Sequence, residues 1–192
     1  MASYTKIHLT VLEVPVAKGR PRFRKVGKYV QTYTPAKTKK AEQEISLVFL
    51  RSQPGFIKLV SPELGIRRFG RTAWANLLRQ SKNAGNRSAS GRGKEAIELH
   101  LLARANGIGL KCEFYIPIPT SLSKKKKLEM DGRFCLKKPD IDNYVKLVCD
   151  ALNEIAWEDD NAVAEIYATK RYSFNPRTEI TIYYFEKDLT NK

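Results

Sequence analysis

Hydrophobic positions repeat with two different periods along this chain. From Lys6 to Val14, Ile7, Leu9 and Val11 alternate with His8, Thr10 and Leu12, which predicts a strand ended by Pro15. From Gly109 to Pro119 the same alternation places Leu110, Cys112, Phe114 and Ile116 on one face and predicts a second core strand, ended by Pro117 and Pro119. A third strand is predicted over Ala162 to Tyr172. From Tyr144 the period changes: Tyr144, Leu147, Val148, Ala151, Leu152 and Ile155 follow the i, i+3, i+4, i+7 spacing of an amphipathic helix without a gap. Thr34-Pro35 offers an N-cap and a first-turn proline for another helix reaching to about Leu50, with Ile45, Val48 and Phe49 inward and Lys37, Lys39 and Lys40 outward. Ser121 to Met130 reads as a short capped helix, and Lys28 to Thr32 as a short strand.

Between these elements lie stretches of another kind. Ala17 to Lys25 gathers Lys18, Arg20, Arg22, Arg24 and Lys25 around Phe23, and Gly19 and Pro21 argue against regular structure there. It reads either as a solvated loop or as a clamp on phosphates with an aromatic to stack or anchor. Residues 51–107 carry eleven Arg or Lys against three Glu, and eight of the thirteen residues from Ser81 to Gly93 are Ser, Gly or Asn, which predicts a flexible loop. Short helices are predicted on either side, at Trp74 to Leu78 and Ala96 to Ala105, so that 51–107 reads as an insertion within a single domain, either a surface excursion or an accessory DNA-contacting segment.

Composition narrows the function. The 192 residues suffice for one core without staples. No run of about 18 apolar residues and no signal peptide occur, which points to a cytoplasmic protein with no membrane partner. The three cysteines, Cys112, Cys135 and Cys149, have neither disulfide nor zinc spacing, and His8 and His100 read as structural. The formal charge is +15, yet Asp140 to Glu165 holds eight carboxylates against the single Lys146, a local −7. A polyanion drawn to the basic surface would be repelled by that patch unless a cation sat between them, and Mg²⁺ does so with carboxylate and phosphate oxygens. Pro139 stops any helix before Asp140, so Asp140 falls at the helix start and Asp142 in its first turn, where both could serve as caps. Asp142, Lys146 and Asn153 share the outward face within about 40°. Capping does not account for Asp159 and Asp160, about 22 Å away beyond the far end of the helix, which can share a metal with the others only if the following strand folds back. Lys124, Lys125, Lys126 and Lys127, with Lys137 and Lys138 upstream of the acidic patch, read as a solvated face or as phosphate contacts.

Asp140-Ile-Asp-Asn143-x-x-Lys146, then Asp150-Ala-Leu, then Trp157-x-Asp-Asp160-x-x-Val163 resembles the signature of the RusA family of Holliday-junction resolvases, and Lys18-Gly-Arg-Pro-Arg-Phe23 and Tyr33-Thr-Pro35 resemble one branch of it. The resemblance covers residues 6–50 and 108–187. It implies a small mixed α/β (α+β) fold, a homodimer, and Mg²⁺-dependent paired nicking of four-way junction DNA, with Mn²⁺ able to substitute. It also implies a site of Asp140, Asp142 and Asp160 as metal ligands with Lys146 as the fourth catalytic residue, supported by Asn143 and Asp159. Two other readings remain: a sequence-nonspecific Mg²⁺ endonuclease, and an architectural junction binder, which has no use for the acidic patch. A haloacid-dehalogenase-type phosphatase is disfavoured because Phe134 to Pro139 is basic where that site follows an apolar strand.

Overall fold

The computed structural model describes residues 4–85 and 105–186. Strand β1 (Tyr4–Val11) is followed by β2 (Arg22–Val26), β3 (Tyr29–Tyr33), α1 (Ala36–Ser52), a 3-10 turn (Pro54–Lys58), α2 (Pro62–Phe69) and α3 (Arg71–Gly85). After residue 104 come β4 (Ala105–Pro117), α4 (Lys124–Met130), α5 (Ile141–Leu152), a second 3-10 turn (Asp160–Ala162), β5 (Val163–Ser173) and β6 (Arg177–Glu186). This is the small mixed α+β architecture that the resemblance implies.

The main sheet has the order β1-β6-β4-β5. Only the β4–β5 pair is parallel, because α5 and the turn after it return the chain to the edge it left; β1–β6 and β4–β6 are antiparallel. Alternate positions on one face, among them Ile7, Leu9, Val11, Leu110, Cys112, Phe114, Ile180, Ile182 and Tyr184, are buried against Ile45, Phe49 and Leu50 of α1 and Leu147, Val148 and Ala151 of α5. Each fully buried side chain of this size contributes about 1.5–3 kcal/mol, so the sheet and the two helices form one cooperative body. On the other face His8 Nδ1 bonds Thr181 Oγ1 at 3.0 Å, the structural role expected of that histidine. All three cysteines are free. Among the described residues no helix is long and apolar enough to cross a membrane.

Four local expectations are corrected. Residues 22–26 are regular: Gly27, at φ +61°, makes the turn that folds β2 onto β3, a backbone that glycine adopts without strain. Pro35, not Thr34, is the N-cap residue of α1, and it makes no side-chain cap bond. The helix expected at Trp74 to Leu78 runs from Arg71 to Gly85 and takes in the start of the expected loop; the remainder of that loop, the helix expected up to residue 105 and His100 lie outside the described residues, and Ala105 itself opens β4. Residues 53–85 are not a surface excursion, since Phe56, Ile57, Val60, Leu64, Trp74 and Leu77 join the main core cluster. Gly65 permits this: a Cβ there would meet the Trp74 ring at 2.3 Å.

Candidate active site

The acidic motif is built on α5. The buried stripe Tyr144, Leu147, Val148, Ala151, Leu152 turns the helix so that Asp142 and Lys146 project to solvent. Asp140 occupies the N-cap position with extended backbone, yet its carboxylate makes no cap hydrogen bond, so capping does not use it. Asp142 lies in the first turn, where the helix dipole favours a negative charge, and its Oδ1 accepts from Asn143 Nδ2 at 3.1 Å.

Asp160 opens the 3-10 turn beyond the helix. Its Oδ1 accepts the indole N–H of buried Trp157 at 3.0 Å, which fixes one oxygen and leaves the other for a ligand. Asp159 is spent locally, its Oδ1 accepting from Asn161 N at 2.9 Å. Burial pushes the Cys149 thiol up to about 11, assisted by the charges of Asp160 and Asp150. β5 passes the start of α5 at Lys170, ten residues after Asp160. Among the described residues no three His, Cys, Asp or Glu side chains form a group that could hold a metal. In chemistry the donor set suits a hard cation: carboxylate oxygens without histidine or thiolate.

Sequence reasoning missed Lys170. It is 8% exposed and sits at an inward position of β5, between Ala168 and Tyr172. Its ammonium donates to Lys137 O at 2.6 Å and Pro139 O at 2.5 Å, and lies 5.7 Å from the Tyr144 ring centroid. It thus straps the segment leading into Asp140 onto β5. A lysine at an inward position of an alternating strand was the visible signal.

The basic residues separate into two groups. Lys18 lies between two carboxylates, Glu42 Oε1 at 2.6 Å and Asp150 Oδ2, and its backbone N–H donates to Asn143 O at 2.8 Å. Burial opposes its charge, but hydrogen bonds to Asp150 and Glu42 outweigh that and raise its pKa. Lys18 holds α1 to α5 and is not an open phosphate contact. Arg20, Arg22, Arg24 and Lys25 are exposed, as are Lys124, Lys125, Lys126, Lys137 and Lys138, with Lys127 half-buried. Arg24 is braced by Gln31, whose Oε1 accepts from Nε at 3.0 Å and Nη2 at 2.9 Å.

A family model described as Endodeoxyribonuclease RusA matches residues 13–67 and 87–183. The Bacillus subtilis (strain 168) protein named "Uncharacterized protein YqaN" is 30% identical over 180 residues, which cover 92% of this chain and 94% of that protein.

Proposed function

The chain belongs to the RusA endodeoxyribonuclease family, and from that premise we propose that it is a Mg²⁺-dependent resolvase that cuts four-way DNA junctions by paired nicks, acting as a two-fold homodimer. The observation that carries the reading is the start of α5. Two carboxylates there, Asp140 and Asp142, make no cap hydrogen bond and face solvent, Asp142 one turn from Lys146, in a chain whose residues 20–25 and 124–138 expose a run of basic side chains.

Asp140, Asp142 and Asp160 would hold the metal, which would have to draw them together, because among the described residues they form no three-ligand group without it. A bound Mg²⁺, or Mn²⁺ in its place, lowers the pKa of its water and offsets charge on the phosphate. Asn143 orients Asp142, and the Trp157 N–H orients Asp160. Lys146 brings a compact positive charge to the phosphate oxygens as negative charge builds on them. The arginines of 20–24 with Lys25, and the lysines 124–127, 137 and 138, bind neighbouring phosphates and fix the register of the DNA. The two cuts needed to resolve a junction ask for two sites, and a two-fold dimer supplies them.

The test is cleavage of a four-way junction against a linear duplex of equal length, with Mg²⁺ and with a chelator, alongside light scattering. The expected result is paired, metal-dependent nicks in the junction alone and about twice the 21.9 kDa chain mass. Equal cleavage of the duplex would reassign the protein as a sequence-nonspecific nuclease, and binding without cleavage as a junction architect.

A further inference from the structure

Strands β2 and β3 form a sheet of their own, separate from the main one. Every residue from Arg22 to Tyr33 is exposed, so both faces of this ribbon stand clear of the core. An isolated two-stranded hairpin is marginally stable in water, and large apolar side chains on one are a liability unless something covers them. This ribbon nevertheless exposes Phe23 at 71%, Tyr29 at 81% and Val30 at 69%, with Val26 and Tyr33 also open.

The pairing register sorts the side chains. Arg22, Arg24 and Val26 share one face with Tyr33, Gln31 and Tyr29, and Phe23 and Lys25 share the other with Thr32 and Val30. Arginines occupy the root half, while the tip, Val26 to Val30, is apolar apart from Lys28. Between Glu13 and Glu42 the chain has nine basic residues and no acidic one, which suits a polyanion and no ordinary protein surface. A ribbon reading base edges in a groove needs polar ends at its tip. Aromatic and aliphatic ends suit base faces instead, as stacking platforms or as wedges that part base steps.

The root is fixed to the catalytic helix. Lys18 N bonds Asn143 O at 2.8 Å, Gly19 N bonds Thr38 Oγ1 at 3.2 Å, and a shallow cavity lined by Arg20, Arg22, Lys37, Thr38, Pro139 and Tyr144 joins the ribbon to the start of α5. Five extended residues place the tip about 16 Å from that root. That is under five base steps at about 3.4 Å along one strand.

We infer that the β2–β3 ribbon is the element that selects branched DNA: its apolar tip inserts against unstacked bases at the branch point while its arginines hold the flanking phosphates. The inference rests on the junction-cleaving reading above and adds which part of the junction is recognised, and by what.

The experiment uses the full chain with chelator present and two probes carrying 2-aminopurine, one in the first pair at the branch point of a four-way junction, the other mid-duplex. Wild type should raise the junction probe's fluorescence at saturation and leave the duplex probe dark. Tyr29→Ala and Val30→Ala should lose that rise and reduce the junction-over-duplex affinity ratio by about ten- to a hundredfold. Arg24→Ala should weaken binding but keep the rise at saturation. Thermal melting checks that each variant folds, which the ribbon's lack of core residues favours. A junction bound and cut selectively by wild type with no rise, or a rise that survives both substitutions, would overturn the wedge and leave the resolvase reading standing. Loss of dimer mass in Y29A or V30A would make the ribbon a subunit contact and overturn the wedge as well. A wild type without junction preference would overturn both.

Discussion

Replacing Lys170 by methionine tests whether the approach to Asp140 is held by β5. The substitution keeps an unbranched apolar stem and removes the ammonium that donates to Lys137 O and Pro139 O. A hydrogen bond from a charged donor is worth about 1.5–3 kcal/mol, but both carbonyls belong to exposed residues and water can take the vacated places. The contact with the Tyr144 ring adds about 0.5–2 kcal/mol. A net loss of about 2–3 kcal/mol follows, less than the 5–15 kcal/mol that typically holds a domain together, so K170M should fold. Catalysis should suffer more than stability. Pro139 is bonded directly to Asp140, and displacing a catalytic group by about 1 Å costs on the order of a hundredfold in rate. Urea unfolding gives the first number, and single-turnover junction cleavage at saturating enzyme, over a range of Mg²⁺ concentrations, gives the second. The expected outcome is a rate per folded molecule about a hundredfold lower, with half-saturation moved to higher Mg²⁺. A K170M protein of reduced stability with unchanged rate and metal dependence would refute the positioning role and leave Lys170 a structural lysine.

Three further outcomes are expected. Asn at Asp140, Asp142 or Asp160 should abolish cleavage while junction affinity, read by gel shift, holds or rises, because a negative charge facing phosphate is removed; Lys146→Ala should likewise lower turnover far more than affinity. Removing Arg20, Arg22 or Lys25, or any lysine from 124 to 127, should flatten the log–log salt dependence of binding by about one unit per lost phosphate contact. Lys18→Met should cost roughly 1–3 kcal/mol at neutral pH, since Glu42 and Asp150 lose the cation between them. The folded pKa of Lys18 is raised above 10.5, so its contribution is complete below that pH and disappears as the pH climbs through the raised value. The wild-type advantage in urea unfolding should therefore be equal at pH 7 and 9 and shrink above 10.5.

What could be read from the sequence was whatever one segment decides alone. The α5 stripe, the alternation of β1, β4 and β5, and the exposure of Asp142 and Lys146 each follow from the spacing of neighbours. Strand β6, which no expectation covered, carries the same alternation in Thr178, Ile180, Ile182 and Tyr184 and is an interior strand of the sheet. Strand β2 was hidden because Gly19 and Pro21, which bound the ribbon, read as though they ruled it out. Composition misled at the end of α3, where Ser81 and Gly85 look loop-like but follow a turn anchored by buried Trp74 and Leu77.

The contacts that fix α5 in place lie beyond any local pattern, because they pair residues far apart in the chain. Its first turn is tied down by Lys18 through the Asn143 carbonyl, and Lys170 straps the segment just before it. At its last turn Arg68 of α2 donates to Ala151 O at 2.5 Å and Asp150 O at 3.1 Å, and Ser46 Oγ of α1 donates to Ala151 O at 2.6 Å. A guanidinium there answers both the unsatisfied carbonyls and the negative end of the helix dipole. Arg68 comes from the basic stretch that composition sets apart, one residue beyond the first block matched by the family model. The stretch that looked most separable thus supplies the clamp on the far end of the helix bearing Asp142 and Lys146. Loosening α2 would be felt at the acidic site through a rigid helix, although no atom of α2 needs to approach DNA.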